Sequence, residues 1–259
     1  MYTHNFDPIL FNFGFLVIRW YSLAYIFGIL AGWWLAKRII LKKFENLQFR
    51  FDIKEFDNLV TYIIISIILG GRLGYILFYN LDYYIANPID TFKIWQGGMS
   101  FHGGLLGVIF GTYLFSLKKK LPLFFLLDII ACVSPVGIFF GRLANFINGE
   151  LIGKTTNMFW GVVFPKVDNL ARHPSQLYEA ALEGIVLFLI MNFIFFKKNY
   201  HVGSCSFMFL IFYGLFRIFS EFFREPDAQI GYLFNIMSMG MFLSLFMIIA
   251  GVILFFQRR

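Results

Sequence analysis

Charged side chains are scarce: Asp, Glu, Lys and Arg make up 14% of the 259 residues, where an ordinary soluble domain carries about 25%. That deficit excludes a water-covered globular surface. Cysteine is nearly absent, with only Cys132 and Cys205, each inside an apolar run. A disulfide framework and a thiolate metal site are thereby excluded, and both cysteines read as small buried hydrophobes. No His, Cys, Asp or Glu grouping has metal-ligand spacing, so neither a metal nor a cofactor is expected. The N-terminus shows no basic region before its first apolar run and no small-residue cleavage pattern, so no removable signal peptide is expected.

What replaces charge is hydrocarbon. Hydrophobic residues reach 59%, and Phe alone contributes 37. Apolar runs of about 20 residues recur along the chain, each long enough to cross a ~30 Å hydrocarbon core as a helix. Helices also satisfy their own backbone hydrogen bonds, which lipid cannot do. The expected class is an all-α polytopic membrane protein of seven transmembrane helices, forming one integral domain over 1–259. Spans are expected at 16–36, 59–79, 101–117, 123–145, 178–196, 204–223 and 231–256.

The net charge of +7 sets orientation rather than nucleic-acid binding, because the basic residues lie in short loops between apolar runs. Thirteen fall on one side, at 37–54, 118–120, 197–198 and 258–259. Five fall on the other: Lys93, Lys154, Lys166, Arg172 and Arg224. The positive-inside rule then places the N-terminus outside and the C-terminus in the cytoplasm. Residues 146–177, rich in Asn, Gly, Thr and Pro, read as a small outer head, with FWGVVF (159–164) as a candidate strand. The charged stretch 47–58 reads as an interfacial segment. Gly103, Gly107 and Gly111, and likewise Gly137 and Gly141, recur at intervals of four, a spacing that lets helices pack closely.

Several polar residues fall within or at the edges of the spans: Arg72, Arg142, Arg217, His102, Asp128 and Glu221. A charge at the centre of a lipid-embedded helix costs about 2.5–3.5 kcal/mol on insertion scales, so such groups face an interior. Arg72, Arg142 and Arg217 sit near the outward ends of outward-running helices, and His102 opens its helix from the same side. These four are expected to converge in the outer half of the bilayer, whereas Asp128 lies at the inner end. Arg72 is equally open to a snorkelling reading, and Arg217 with Glu221, spaced i, i+4, to a structural ion pair. Guanidinium groups at that depth suit the phosphate of a lipid headgroup, and a histidine can act as a base near neutral pH.

The ordered segments WYSLAY (20–25), GGRLGYILFYN (70–80), WQGGMSFHGGLLG (95–107), GRLANFINGELIG (141–153), RHPSQLYEA (172–180) and FRIFSEFFREPDAQ (216–229) together resemble the prolipoprotein diacylglyceryl transferases of bacteria. The resemblance covers nearly the whole chain, differing from the family signature at Ala144, where Gly is common. It implies seven transmembrane helices with a periplasmic head in the bacterial inner membrane. It also implies transfer of a diacylglyceryl group from phosphatidylglycerol to the lipobox cysteine of a prolipoprotein signal peptide. Carried over residue by residue, it makes His102 the base candidate. Arg142, Asn145, Glu150 and Gly153 become lipid-binding or catalytic positions, Arg217 and Glu221 a second cluster, and Tyr21 a substrate contact. Arg72 joins the substrate contacts on depth alone. The competing reading is a phospholipid transporter or flippase, drawn from the glycines, the buried charges and a faint parallel echo of GRL at 71–73 and 141–143. Against it, a transporter site belongs near the midplane rather than toward one face.

Overall fold

The computed structural model describes residues 2–13, 17–44, 53–226, 231–233 and 236–257. The first half of the stretch 47–58, residues 47–52, lies outside the described residues, as do Arg50, Arg258 and Arg259 of the charge count and 227–229 of the last motif, while 53–58 opens a long helix.

The chain is predominantly helical. Its long helices are α1 (Trp20–Phe44), α2 (Ile53–Tyr79), α4 (Phe101–Lys119), α5 (Leu123–Asn148), α8 (Ser204–Glu221) and α9 (Met239–Gln257), with a short α3 (Leu81–Ala86) after α2. Between α5 and α8, one continuous helical rod joins α6 (Ser175–Glu179), a π-helical stretch Ala180–Val186 and α7 (Leu187–Phe195). Among the described residues, six stretches are long and apolar enough to cross a bilayer: Trp20–Lys42, Glu55–Tyr79, Leu123–Asn148, Ser175–Phe195, Ser204–Glu221 and Met239–Gln257. The polytopic membrane class follows. Helix α4 is 19 residues long, as α9 is, but four glycines, His102 and two terminal lysines dilute its apolar character.

Two expected spans start later than their hydropathy does. Helix α1 begins at Trp20 because Val17–Arg19 (β3) pairs antiparallel with Ile9–Asn12 (β2). Helix α9 begins at Met239 because Tyr232–Leu233 (β6) and Met237–Ser238 (β7) form a hairpin before it. Apolar composition cannot separate a short strand from the helix it feeds. The candidate strand in 159–164 is present as Val162–Val163 (β4), which pairs antiparallel with Ala171–Arg172 (β5) and parallel with Tyr2–Thr3 (β1). Buried His4 anchors this sheet to the end of α5, its Nε2 standing 2.7 Å from the Phe146 carbonyl oxygen.

The described chain packs as two compact units, Met1–Arg38 with Asp128–Arg259, and Ile39–Leu127. Within the second, α2 and α4 touch backbone to backbone. A Cβ at Gly103 would stand 2.4 Å from the Gly70 carbonyl oxygen, and one at Gly107 only 2.1 Å from that of Ser66. The close-packing reading therefore holds for Gly103, Gly107 and Gly111. At Gly137 it holds from the facing helix, since a Cβ on Gly28 of α1 would lie 2.9 Å from the Gly137 Cα; at Gly141 a Cβ would meet no heavy atom within 4 Å. Spacing of four gives a common helix face without saying what the face meets.

In the first unit, buried Asp128 organises the start of α8. Its carboxylate accepts from the Gly203 N–H at 2.6 Å, the Ser206 N–H at 2.7 Å, the Ser206 hydroxyl and the Tyr200 hydroxyl. A buried carboxylate thereby caps helix N–H groups that would otherwise go unmet.

Gly107→Leu should prevent stable folding or cost at least about 1–3 kcal/mol by overpacking, whereas Gly137→Ala should leave stability within about 0.5 kcal/mol. Thermal unfolding in detergent micelles, read by size-exclusion recovery, separates the two. Equal behaviour would contradict the contact geometry.

Candidate active site

The strongest concentration of charge in the first unit is an ion cluster with no net charge. Arg142, in the last turns of α5, reaches two carboxylates on the α6–π–α7 rod: Glu179 at 2.9 Å and Glu183 at 2.9 Å. Arg217 of α8 meets Glu179 from the other side at 2.7 Å and pairs with Glu221 one turn along its own helix. Arg224, just beyond α8, approaches the same Glu179 oxygen at 3.4 Å. Three guanidinium groups thus face three carboxylates, with Glu179 common to all three arginines. Glu179 and Glu183 are essentially inaccessible, and Arg217, Glu221 and Arg224 are buried. Burial at this depth demands compensation, because an unpaired charge in low dielectric costs several kcal/mol.

Local geometry sets the two carboxylates. Residues 180–186 are π-helical, and such widened turns recur at functional sites. Gly184 lets the wide turn press on α5, since a Cβ there would lie 2.7 Å from Cβ of Phe139. Gly240 of α9 sits directly over the Arg217–Glu221 pair, 2.8 Å from a carboxylate oxygen if given a Cβ. Arg142 commits two of its five N–H groups to hydrogen bonds, both with Glu183, and its other Nη forms an ion pair with Glu179 at 2.9 Å.

Around this cluster lie other expected site residues. The carboxylate of Glu150 accepts from the Asn145 amide at 2.7 Å and from that of Asn148 at 3.3 Å. The turn holding it is sharp, with Gly149 (φ 67°) and Leu151 (φ 55°) both left-handed. Leu151 has no glycine's freedom there, so the backbone stores strain beside the polar run. Gln176 and Ser175 secure the turn by donating to the carbonyls of Glu150 and Leu151 at 2.6 and 3.1 Å. The Tyr21 hydroxyl lies 2.9 Å from that of Tyr25 and within electrostatic reach of Glu150 and Arg142.

Gly153 has a steric explanation instead of a contact one. It bridges Arg224, and a Cβ would fall 2.2 Å from the His173 carbonyl oxygen and 2.8 Å from that of Phe223. Only glycine passes between those two backbones.

His102 and Arg72 belong to the other unit. His102 is the second residue of α4 and is buried; Ser100 caps the helix by accepting from the Gly103 N–H at 3.2 Å. Arg72 faces the loop that precedes α4. Its guanidinium donates five hydrogen bonds, to the carbonyl oxygens of Asp90 (2.6 Å), Thr91 (2.9 Å), Lys93 (3.3 Å), Gly97 (2.6 Å) and Gly98 (3.3 Å). An arginine has five N–H groups, so the loop engages all of them. The two GRL triplets therefore place their arginines in unlike work, one on carbonyls and one on carboxylates.

The family model described as prolipoprotein diacylglyceryl transferase matches residues 8–257. The chain belongs to that family. A Rickettsia bellii (strain OSU 85-389) protein named phosphatidylglycerol–prolipoprotein diacylglyceryl transferase is 52% identical over 257 residues, covering 98% of this chain and 96% of its own. An Ehrlichia canis (strain Jake) protein of the same name is 52% identical over 249 residues, covering 95% and 93%. A third, from Rickettsia felis (strain ATCC VR-1525 / URRWXCal2), is 51% identical over 259 residues, covering 98% of each chain.

In this member of the diacylglyceryl transferase family, sequence reasoning missed Glu179, Glu183 and the burial of Arg224. The signal for the glutamates was present: YEAALEG puts two carboxylates four apart inside an apolar span, the criterion that singled out Arg142 and Arg217. Arg224 follows α8 directly and reads as a loop charge until its contact with Glu179 is seen.

Arg142→Met should destabilise the protein by about 3–5 kcal/mol, because it leaves buried carboxylates uncompensated. Adding Glu183→Leu should recover part of that loss. Denaturant unfolding in micelles checks both, and additive losses would deny the coupling. Outside the spans, burial holds His173 below its ordinary pKa of 6.5, with Nδ1 3.1 Å from the Tyr178 hydroxyl. The unfolded chain takes up that proton first, so the contribution of neutral His173 is complete above pH 6.5 and declines as pH falls below it. Imidazole NMR titration should give a midpoint under 6.5, and His173→Gln should flatten the acid slope of stability.

Proposed function

We propose that the protein transfers the sn-1,2-diacylglyceryl group of phosphatidylglycerol to the lipobox cysteine thiol of a prolipoprotein, releasing glycerol phosphate. The observation that carries this reading is the buried Arg142–Glu179–Arg217 cluster with N–H groups to spare on Arg142. It lies in a chain about half identical, over nearly its full length, to proteins bearing that activity's name.

The chemistry is a displacement at the glycerol carbon. The thiol sulfur forms the new S–C bond, the C–O bond to phosphate breaks, and its electron pair leaves with glycerol phosphate. A thiol with a pKa near 8.5 is mostly protonated at neutral pH, so a base is needed. His102 takes that role in this reading and receives the thiol proton. Arg142 and Arg217 meet the phosphate, where charge grows as the bond breaks. Their carboxylate partners fix both guanidinium planes beforehand, so no reorientation is required at the moment of reaction. Asn145, Glu150 and Tyr21 border the lipid glycerol and the incoming peptide, and Glu221 orients Arg217. The nucleophile belongs to the substrate, which leaves Cys132 and Cys205 without catalytic work.

The topology completes the reading. Counting α4 gives seven spans, and an odd number agrees with the charge asymmetry that puts the N-terminus outside. Residues 146–177 then carry a periplasmic head, and the arginine cluster opens toward the periplasmic leaflet of the inner membrane. Family membership favours this transferase over a lipid transporter.

Purified protein in phosphatidylglycerol vesicles with a lipobox peptide should yield the thioether product, detected by mass spectrometry. Folded protein that moves lipid between leaflets and makes no product would overturn the reading in favour of transport. Arg142→Lys should lower kcat by about 10²–10³, the usual loss of one well-placed donor to a developing oxyanion. Cys132→Ala combined with Cys205→Ala should leave kcat within about twofold.

A further inference from the structure

The loop 87–100 links α3 to α4 and has little to hold it by itself. Its only regular structure is a pair of 3₁₀ turns, Pro88–Phe92 and Ile94–Gln96. Three of its large apolar side chains point away, Ile89, Phe92 and Trp95 each being at least 75% exposed, while Asp90 accepts from the Tyr83 hydroxyl at 2.6 Å. What holds it is Arg72, whose five donors converge on five main-chain oxygens of residues 90–98. Beside it the Gly71 carbonyl accepts from the Ser100 N–H at 2.9 Å. Two consecutive residues of α2 thus grip the segment just before α4. Gly97 and Gly98 turn the chain with φ of 86° and 79°, and a Cβ on Gly98 would stand 3.0 Å from an Arg72 nitrogen and 2.7 Å from the Tyr75 ring. Met99 and Ser100 follow, then Phe101 and His102 at the start of α4.

We propose that Arg72 is a positioning residue: it closes the 90–98 loop around its guanidinium and so fixes the start of α4, and with it His102. This rests on the reading that His102 serves the reaction. Only a planar fork with five donors can hold carbonyls on all its edges; a lysine has three donors at one point. Charge is therefore not what Arg72 supplies to the reaction, which sets it apart from Arg142 and Arg217.

The test pairs two perturbations of the clamp with two readouts. Arg72→Lys keeps the charge and removes the fork. Gly98→Ala keeps Arg72 and intrudes on the clamp from the loop side. In phosphatidylglycerol vesicles, both should speed amide hydrogen exchange across 88–101 at least tenfold while leaving α5 and α8 unchanged. Both should also lower kcat at least tenfold with KM for phosphatidylglycerol within twofold, and neither should add to the loss in His102→Gln. Unchanged exchange in 88–101 would overturn the clamp. A raised KM with kcat retained in Arg72→Lys, and a native Gly98→Ala, would overturn it in favour of direct lipid contact. Losses additive with His102→Gln would deny that Arg72 acts through the histidine. Native turnover in His102→Gln would sink the histidine's role and the functional half of the inference, while hydrogen exchange would still decide the clamp.

Discussion

A charge buried away from water must find its opposite, and the organisation of the first unit follows from that requirement. Glu179 meets it for three arginines at once. Because those arginines come from the end of α5, the last turns of α8 and the residues after α8, satisfying one carboxylate fixes three segments around the α6–π–α7 rod. Dispersion and glycine contacts then close the remaining gaps, as at Gly214, where a Cβ would stand 2.7 Å from Ile248 of α9. Packing supports the arrangement; charge compensation specifies it.

The same requirement sorts the arginines by function. A guanidinium whose five donors are all committed to carbonyls is a piece of architecture. One with donors left over, held in place by carboxylates, keeps hydrogen-bonding capacity that the protein itself does not use. Arg72 is the first kind and Arg142 the second. Both are buried arginines near the ends of apolar helices in GRL triplets, so depth and motif make them look alike. Only the identity of their partners separates them.

That comparison also marks how far the sequence could be read. The helical class, the approximate spans and the strand in 159–164 were legible because composition and periodicity report solvent directly. The charges of the site were legible in kind, since arginine in hydrocarbon requires a reason, yet their partners were legible only in part. Glu221 declared itself by lying four residues from Arg217. Glu183, 41 residues from Arg142, could be paired with it only once the helices were packed. Gly153 and Gly141 show the same limit for shape. A glycine's position in a motif says that something is close, or that nothing is, without saying which.

The span of the ion cluster along the chain bears on how the protein is made. Glu183 follows Arg142 by 41 residues, which at ~5–20 residues per second of synthesis is roughly 2–8 s. During that interval α5 carries an arginine whose partners do not yet exist. The helix cannot settle at its final depth with that charge facing lipid, so its end must wait at the aqueous boundary or inside the insertion machinery. Delivery of the α6–π–α7 rod, with two carboxylates a turn apart, is then the event that draws Arg142 inward. The membrane assembly order is written into the spacing of the cluster.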